Sequence, residues 1–436
     1  EATGASPRPE RGARVDADVA IAGGGLSVLL APMLASMGVR VSVFDRARAA
    51  SAHREWNASG PELCALTRAN ILSSNELEEM TVAKYREGVC VFHGGGRYPV
   101  RGVLDHAVDA GALLRAARAR AEALGVTFYD GRSVVAERGG PDAVRLRTRD
   151  ASGSEDDFVA SILIDARGAS SPYLAADLTC PTVGGVFRGL EIDPDVGEIL
   201  ATIAPAEAGR QHVWEAFPGR PGETTVYLFY YAYAEQSGSL MSLYAKLFED
   251  LPSYKRGAVD LVRPTFGYIP GWSRLTPPSR SPSPRIVLVG DAAARHSPLT
   301  YCGFGAMLRS IEPAARAIAA AVRLGSSGSV DPEEAAHDAP IHGMTGALAR
   351  LLAAGSMKDN AANELLDAAF GTLHGMGEDA YGSLLRDAMT PDVFIDFLRQ
   401  TAAKRGRVYL DVVRGLGPLV TARWGASIAR SMMRAV

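Results

Sequence analysis

Short apolar runs and one helix-length apolar stretch alternate near the start of the chain. From Ala17 the sequence DVAIAGGG is typical of a buried strand that ends in three glycines. An apolar stretch and then VRVSVFDR follow, which predict a helix and a second buried strand. The pattern predicts one βαβ unit, and therefore an α/β protein.

Beyond this unit the pattern changes twice. Residues 88–149 predict a long Ala/Arg-rich helix and a strand pair, and ILIDARG at 162–168 predicts a buried strand that runs into a tight turn. Residues 183–268 are β-rich, and their alternating aromatics suit a sheet with one covered face. RIVLVGD then predicts a strand, a loop and a long helix, and after GSSGS at 325–329 the chain is predicted to be helical.

Composition narrows the classes of function. The formal charge is −3, from 46 basic and 49 acidic residues, so no field favours a nucleic-acid partner. The cysteines are far apart and lack zinc spacing, which predicts free thiols in a reducing compartment and no metal site. No apolar run reaches the ~18 residues of a membrane span, and the polar N-terminus does not resemble a signal peptide. We expect a cytoplasmic protein.

The three glycines at 23–25 lie between the predicted strand and helix. Small residues there let the backbone approach a pyrophosphate, whose charge the helix N-terminus stabilises. Asp45 ends the second strand, where a carboxylate can bind a ribose hydroxyl. Val28 replaces the third glycine of GxGxxG, and Pro32 removes a backbone N–H early in the helix. The pattern predicts a dinucleotide-binding turn in which helix and strand separate slightly.

A second glycine loop follows the strand RIVLV. Gly290 and Asp291 come first, then His296, Pro298 and the sequence GFG at 303–305, where a helix begins. A carboxylate here can accept a ribityl hydroxyl, and amides at a helix start stabilise negative charge on a flavin. The two loops together predict a Rossmann-like FAD-binding domain.

Three further motifs suggest a family. REWNASGPEL at 54–63, WEAFPG at 214–219 and GDAAARHSPLTYCGFGAMLR at 290–309 together resemble the FAD-dependent lycopene cyclases of the CruA/CruP kind, which are related to class A flavin monooxygenases. The resemblance extends over most of the chain. It implies a flavoprotein in which reduced FAD supports ring closure of an apolar polyene without net oxidation. The family's central motif reads more like GDASGIQSP, and the change at 293–296 suggests a different substrate.

The glycine loops and the resemblance define the candidate site. The residues expected to bind the cofactor are Gly23, Gly24, Gly25, Asp45, Arg46, Arg54, Gly290, Asp291, Pro298, Gly303, Phe304 and Gly305. Those expected to face the substrate are Glu55, Glu215 and His296, with pocket candidates at Tyr227, Phe229, Tyr230, Tyr231 and Tyr233.

Cyclisation needs an acid that protonates a terminal double bond. Glu215 in apolar surroundings suits this step, although it could equally be an edge-strand glutamate that faces water. Glu55 could instead form a structural ion pair with Arg54, and His296 could donate to a flavin oxygen, exchange protons with substrate or simply pack in a loop. These alternatives stay open at the level of sequence.

The predicted architecture has an FAD-binding domain, an inserted β-rich substrate domain and a helical C-terminal region, consistent with a length beyond the ~250–300 residues of a single core. The expected boundaries are a disordered lead-in at 1–16, the FAD-binding domain at 17–182 and 281–325, the substrate domain at 183–280 and the helical region at 330–436.

Other functions are compatible with the same sequence. A class A-type monooxygenase would use NAD(P)H as reductant and oxygen, and a third possibility is a flavin- or lipid-binding protein without catalysis. The WxWxIP motif of flavin halogenases is absent. A lipophilic substrate predicts peripheral association with the inner face of a membrane, for which the basic C-terminal helices from Arg405 onward are candidates, although they could equally pack on the flavin domain.

Overall fold

A computed structural model describes residues 15–51, 55–273, 281–325, 342–355 and 360–434. Residues 1–14 of the lead-in expected at 1–16 lie outside the described residues, as do most of the GSSGS stretch and Arg54. The secondary structure is mixed α/β, as the hydrophobic pattern predicts, and its strands form three sheets.

The first sheet has seven strands in the order β8-β2-β1-β11-β10-β9, with β18 also paired to β11. Its strands β1, β2, β8, β11 and β18 are mutually parallel. Strands β1, β2 and β18 are buried along most of their length, as is usual for parallel strands that α-helices cover. The strands are β1 (Ala17–Ala22), β2 (Val41–Asp45), β8 (Thr127–Asp130), β9 (Arg132–Gly139), β10 (Val144–Asp150), β11 (Glu155–Asp165) and β18 (Ile286–Leu288).

The second sheet has eight strands in the order β16-β12-β15-β14-β13-β5-β6, with β17 on the free side of β12. A small third sheet has the order β3-β7-β4. The strands of the second sheet are β5 (Glu87–Val91), β6 (Arg97–Val100), β12 (Leu178–Leu190), β13 (Val196–Ala201), β14 (Val213–Pro218), β15 (Glu223–Phe229), β16 (Ala232–Tyr233) and β17 (Gly257–Gly271). Those of the third are β3 (Trp56–Ala58), β4 (Thr81–Lys84) and β7 (His106–Val108).

Twelve helices are described. They are α1 (Leu30–Ser36), α2 (Gly60–Arg68), α3 (Ser74–Met80), α4 (Ala110–Ala123), α5 (Leu240–Tyr254), α6 (Gly303–Leu324), α7 (His342–Ala353), α8 (Ala361–Met376), α9 (Glu378–Leu385), α10 (Pro391–Arg405), α11 (Arg407–Leu416) and α12 (Pro418–Arg434). None of the described helices is long and apolar enough to cross a bilayer.

Pro32 shapes the first crossover. A single 3₁₀ turn, Leu26–Leu29, precedes α1, and Pro32 is the third residue of this helix. Its missing N–H costs little there, because the first four N–H groups of a helix have no partner within the helix. Val28 is fully buried against the first sheet instead of leaving the space of a glycine.

The second sheet differs from its prediction in two respects. Residues 87–100, which the sequence suggested as part of the first domain, supply β5 and β6 to this sheet through the parallel pairing of β5 with β13. Every residue of β15 is buried, so both faces are covered rather than one. Helix α5 packs on one face, while the other carries a cavity and packs against C-terminal helices that include Phe370 and Tyr381.

Candidate functional site

One large cavity of about 1140 Å³ lies between the first and second sheets. Its lining comes from the ends of β1, β2, β11 and β18, from one face of β12–β15 and from the start of α6. This volume exceeds the ~300–1,000 Å³ typical of a pocket for one small ligand. The cavity is therefore larger than a single small ligand needs.

The glycine turn at 23–25 forms one end of the cavity. Gly23 has φ +106°, and a Cβ there would lie 2.3 Å from the carbonyl oxygen of Ala166. The Gly24 N–H donates to Asp45 Oδ2 at 2.7 Å, and the Ala47 N–H donates to Asp45 Oδ1. Asp45 therefore fixes the turn first, and it also lines the cavity where a ribose hydroxyl would bind.

The remaining predicted residues near this turn lie at its rim. Arg46 is exposed and lines the cavity next to Asp45. The turn after β11, weak as a sequence signal, lies opposite it: Arg167 pairs with the fully buried Asp165 at 2.9 Å and with Glu137 at 2.6 Å. These two carboxylates raise the pKa of Arg167 despite its burial, so the guanidinium stays charged beside the glycine end.

The second glycine loop brings most of its predicted residues to the same cavity. Gly290, Asp291, His296, Gly303, Phe304 and Gly305 all line it, whereas Pro298 does not and lies near Gly271 instead. His296 is buried, so it is not a surface residue, and its Nδ1 lies 3.9 Å from Asp291 Oδ1. Because α6 begins at Gly303, its N-terminal amides favour negative charge at this point.

The C-terminal region contributes residues that the sequence did not suggest. Asp387, directly after α9, lines the cavity and accepts the Ser297 N–H at 2.7 Å. Arg309 of α6 pairs with the buried Glu62 and also donates to the Asp387 carbonyl. These contacts attach the helical region to the second glycine loop. No local pattern marks Asp387, because its partners lie about 80 to 90 residues away in sequence.

Glu215 lines the end of the cavity that the second sheet forms. Its strand β14 lies between β13 and β15, so it is not an edge strand. The Asn57 side chain donates to Glu215 Oε1 at 3.0 Å. Glu215 is half-buried because it opens onto the cavity rather than onto bulk water. Burial raises the pKa of its carboxyl to about 7, and the hydrogen bond from Asn57 opposes the rise.

The other two catalytic candidates are held differently. Glu55 pairs with Arg263 of β17 at 2.5 Å, and its backbone exchanges hydrogen bonds with the Tyr227 hydroxyl. The ion pair therefore joins the third sheet to the second across the cavity wall. His296 lies in the second glycine loop with its ring 5.6 Å from that of Tyr301.

Aromatic rings surround the space between Glu215 and the glycine loops. Tyr227 and Phe229 line the cavity, and Trp56 stacks on Phe304 with ring centroids 4.8 Å apart. The other pocket candidates, Tyr230, Tyr231 and Tyr233, do not line it. Successive side chains of a strand point to opposite faces of the sheet. Tyr230 therefore packs on the face that α5 covers, away from the cavity.

No family model and no curated protein matches the chain in sequence. Solved structures do match it. A geranylgeranyl bacteriochlorophyll reductase-like protein from Thermoplasma acidophilum is 16% identical with a TM-score of 0.59, and the match covers 93% of this chain and 99% of that one. The halogenase PltM in complex with phloroglucinol and FAD is 14% identical, with a TM-score of 0.60 and coverage of 94% and 96%.

A third similar structure is the Diels-Alderase PyrE3 from the biosynthetic pathway of pyrroindomycins. It is 21% identical with a TM-score of 0.52, and the match covers 85% of this chain and 79% of that one. At these identities the comparisons establish the fold, not the reaction. The chain has the Rossmann-type fold of FAD-binding flavoproteins, with a second sheet and a helical region built around one cavity.

Proposed function

We propose that this protein is an FAD-dependent enzyme that cyclises an apolar polyene without net redox change. The observation that carries the proposal is the position of the Glu215 carboxyl, which lines an aromatic cavity that both glycine loops also line and accepts a hydrogen bond from Asn57. Burial there raises its pKa to about 7. A protonated acid at neutral pH suits proton transfer to an alkene, since catalytic acids work best with a pKa near the working pH. Diels-Alder chemistry also forms rings, and an enzyme that performs it shares this fold.

The glycine end fits FAD. A side chain at position 23 would strike the Ala166 carbonyl, so the chain keeps this turn close-packed and free of side chains. Gly23–Gly25 and Arg46 would hold the pyrophosphate, Asp45 a ribose hydroxyl, and Asp291 the ribityl chain. The N-terminus of α6 would face the flavin. Reduced FAD, when bound, would supply negative charge beside the substrate.

Glu215 would begin the reaction by transferring its proton to a terminal double bond of the polyene. A new C–H bond forms, the π bond breaks and the adjacent carbon becomes cationic. The rings of Tyr227 and Phe229 line this space and present electron-rich faces to such a cation. After ring closure, loss of a proton to the Glu215 carboxylate restores a double bond and the neutral acid. Substrate and product are therefore isomers.

A second candidate has a specific observation in its favour. The reductase-like neighbour is named for a geranylgeranyl group, which is itself an apolar chain with several double bonds. The same cavity could place a polyene for protonation by Glu215 and hydride addition from reduced FAD. A monooxygenase that uses NAD(P)H and oxygen is a third reading of the same fold.

Product mass separates the candidates. The purified protein would be loaded with FAD, reduced without oxygen and incubated with lycopene as the probe polyene. Cyclisation gives a product of unchanged mass, reduction adds two hydrogens, and hydroxylation requires oxygen and adds one oxygen atom. Glu215→Gln should lower the cyclisation rate by about 10²–10⁴-fold. Glu191→Gln, an exposed position in the same domain, should have no effect. Equal rates in wild type and Glu215→Gln would rule out this acid.

We also propose that the protein reaches its lipophilic substrate from a membrane surface. Residues 402–436 contain seven basic residues and one acidic residue. On α11, Arg407, Leu410, Val413 and Arg414 are exposed, and helical geometry places them on one face. Apolar and basic side chains on one face are typical of helices that lie in the interface of an anionic bilayer.

A further inference from the structure

Asn57 occupies an unusual place between two sheets. It lies on β3 of the small third sheet, where it pairs with Ala107 of β7, yet its side chain reaches Glu215 on β14 of the second sheet. The segment 55–57 thus delivers three different contacts to the cavity. Glu55 binds Arg263, Trp56 stacks on Phe304 and Asn57 binds the candidate acid.

The two oxygens of Glu215 are consequently unequal. Oε1 accepts the Asn57 N–H at 3.0 Å, while Oε2 has no hydrogen-bond partner among the described residues. A neutral carboxyl whose one oxygen accepts an N–H carries its proton on the other oxygen. Since Glu215 lines the cavity, its proton is presented to whatever lies there.

No charged side chain forms an ion pair with Glu215 among the described residues, although Asp291, Arg309 and Asp387 line the same cavity. The titratable groups that sense its charge are Tyr85, Tyr254 and Cys302, and burial raises the pKa of each well above its usual value. All three are neutral near pH 7. Across the cavity wall, Glu55 is neutralised by Arg263.

We propose that Asn57 is a positioning residue for Glu215: its amide holds Oε1, so that the transferable proton lies on Oε2 and faces the substrate. The proposal rests on the proposed function, in which Glu215 is the acid. Loss of the amide has two effects. The carboxylate loses its one donor, which makes Glu215 a weaker acid, and the carboxyl can rotate so that its proton is misdirected.

Asn57→Leu tests the proposal with a readout that does not need turnover. Infrared difference spectra of the purified protein, taken against Glu215→Gln, identify the carbonyl band of protonated Glu215 and follow it with pH. We expect its midpoint to rise by about one pH unit in Asn57→Leu, because the ionised form loses a hydrogen bond. The alkaline limb of the pH–rate profile should move to higher pH by the same amount. We expect kcat to fall and KM for the polyene to stay unchanged.

Asn57→Ala is the second variant, for the case in which Asn57→Leu fails to fold. It removes the same amide that donates to Glu215 Oε1 without adding a branched side chain, so the midpoint should shift in the same direction. An unchanged midpoint in a folded Asn57→Leu protein would overturn the proposal. A shifted midpoint in a protein that does not turn over polyenes would support the positioning role and contradict only the proposed function.

Discussion

The two ends of the cavity are built on different principles. At the glycine end, backbone atoms form the wall, and Gly23 is required because its φ of +106° and the nearby Ala166 carbonyl leave no room for a Cβ. At the Glu215 end, side chains form the wall, and the acid owes its raised pKa to burial in the assembled cavity, where Asn57, 158 residues away in sequence, contacts it. The glycine end requires particular residue types at particular positions. At the Glu215 end, the acidity of the carboxyl depends on the side chains that surround it.

This difference teaches which substitutions each end tolerates. A local turn fails when the wrong residue enters it, whatever the rest of the molecule does. A buried acid keeps its chemistry only as long as its neighbours keep water and charge away. The two ends can therefore be damaged separately, and the following predictions are ordered by the size of the expected effect.

Gly23→Ala should have the largest effect, because it damages the glycine end directly. The methyl group would overlap the Ala166 carbonyl at 2.3 Å in a backbone conformation that L-residues rarely adopt. We expect a loss of at least about 3 kcal/mol in the free energy of unfolding, measured by urea denaturation. Gly111→Ala in α4 is the control, since its methyl would come as close as 3.0 Å only to the movable end of Arg115 and would otherwise make an ordinary contact with the Asp109 side chain. Equal stability of the two variants would contradict the role given to Gly23.

The raised pKa of Glu215 should make the free energy of unfolding depend on pH. A carboxyl whose pKa is raised to about 7 from its ordinary value of 4.5 destabilises the folded state as pH rises between these values, because the unfolded chain ionises first. Glu215→Gln should therefore gain up to about 3 kcal/mol relative to wild type between pH 4 and pH 8. Parallel stability curves for both proteins across this range would show that burial does not perturb Glu215.

Gly303→Ala should affect the cofactor but not the fold. A methyl group at this position meets no atom within 4 Å, and the residue lines the cavity at the start of α6. If FAD binds there, its dissociation constant should rise about tenfold, or about 1.4 kcal/mol. Flavin fluorescence measures the affinity, and the melting temperature of the FAD-free protein should not fall. Unchanged affinity would place FAD away from α6.

Loss of membrane association should have the smallest effect on the site itself, and it bears on how substrate reaches the apolar end. Arg407→Glu with Arg414→Glu should weaken binding to vesicles that contain phosphatidylglycerol at least about tenfold, since each basic residue near an anionic surface contributes about 1 kcal/mol. Co-sedimentation measures binding. Arg138→Glu with Arg145→Glu, exposed on β9 and β10, makes the same charge change elsewhere. Equal binding by both double variants, or equal binding to neutral vesicles, would argue against this surface.

The sequence was most informative where one residue satisfies a local rule. Runs such as DVAIA and VRVSVFD predicted strands β1 and β2. The glycines that follow β1 form the predicted turn, and Asp45 at the end of β2 accepts a hydrogen bond from it. Sequence failed at residues 87–100, whose pairing with β13 joins positions more than 100 residues apart. The hydrophobic period of a short strand does not specify the strand with which it pairs. The sheet to which residues 87–100 belong could therefore not be predicted from the sequence.

The sequence by itself determined the mixed α/β architecture and the glycine turn, because hydrophobic period and backbone conformation are properties of neighbouring residues. It also named Glu215 as a candidate without deciding between an exposed edge and a buried acid. Only the tertiary structure decided that, by placing β14 between two strands and the Asn57 amide against Oε1. Desolvation and hydrogen bonding set the proton affinity of a carboxyl, and both depend on atoms that long-range folding brings together.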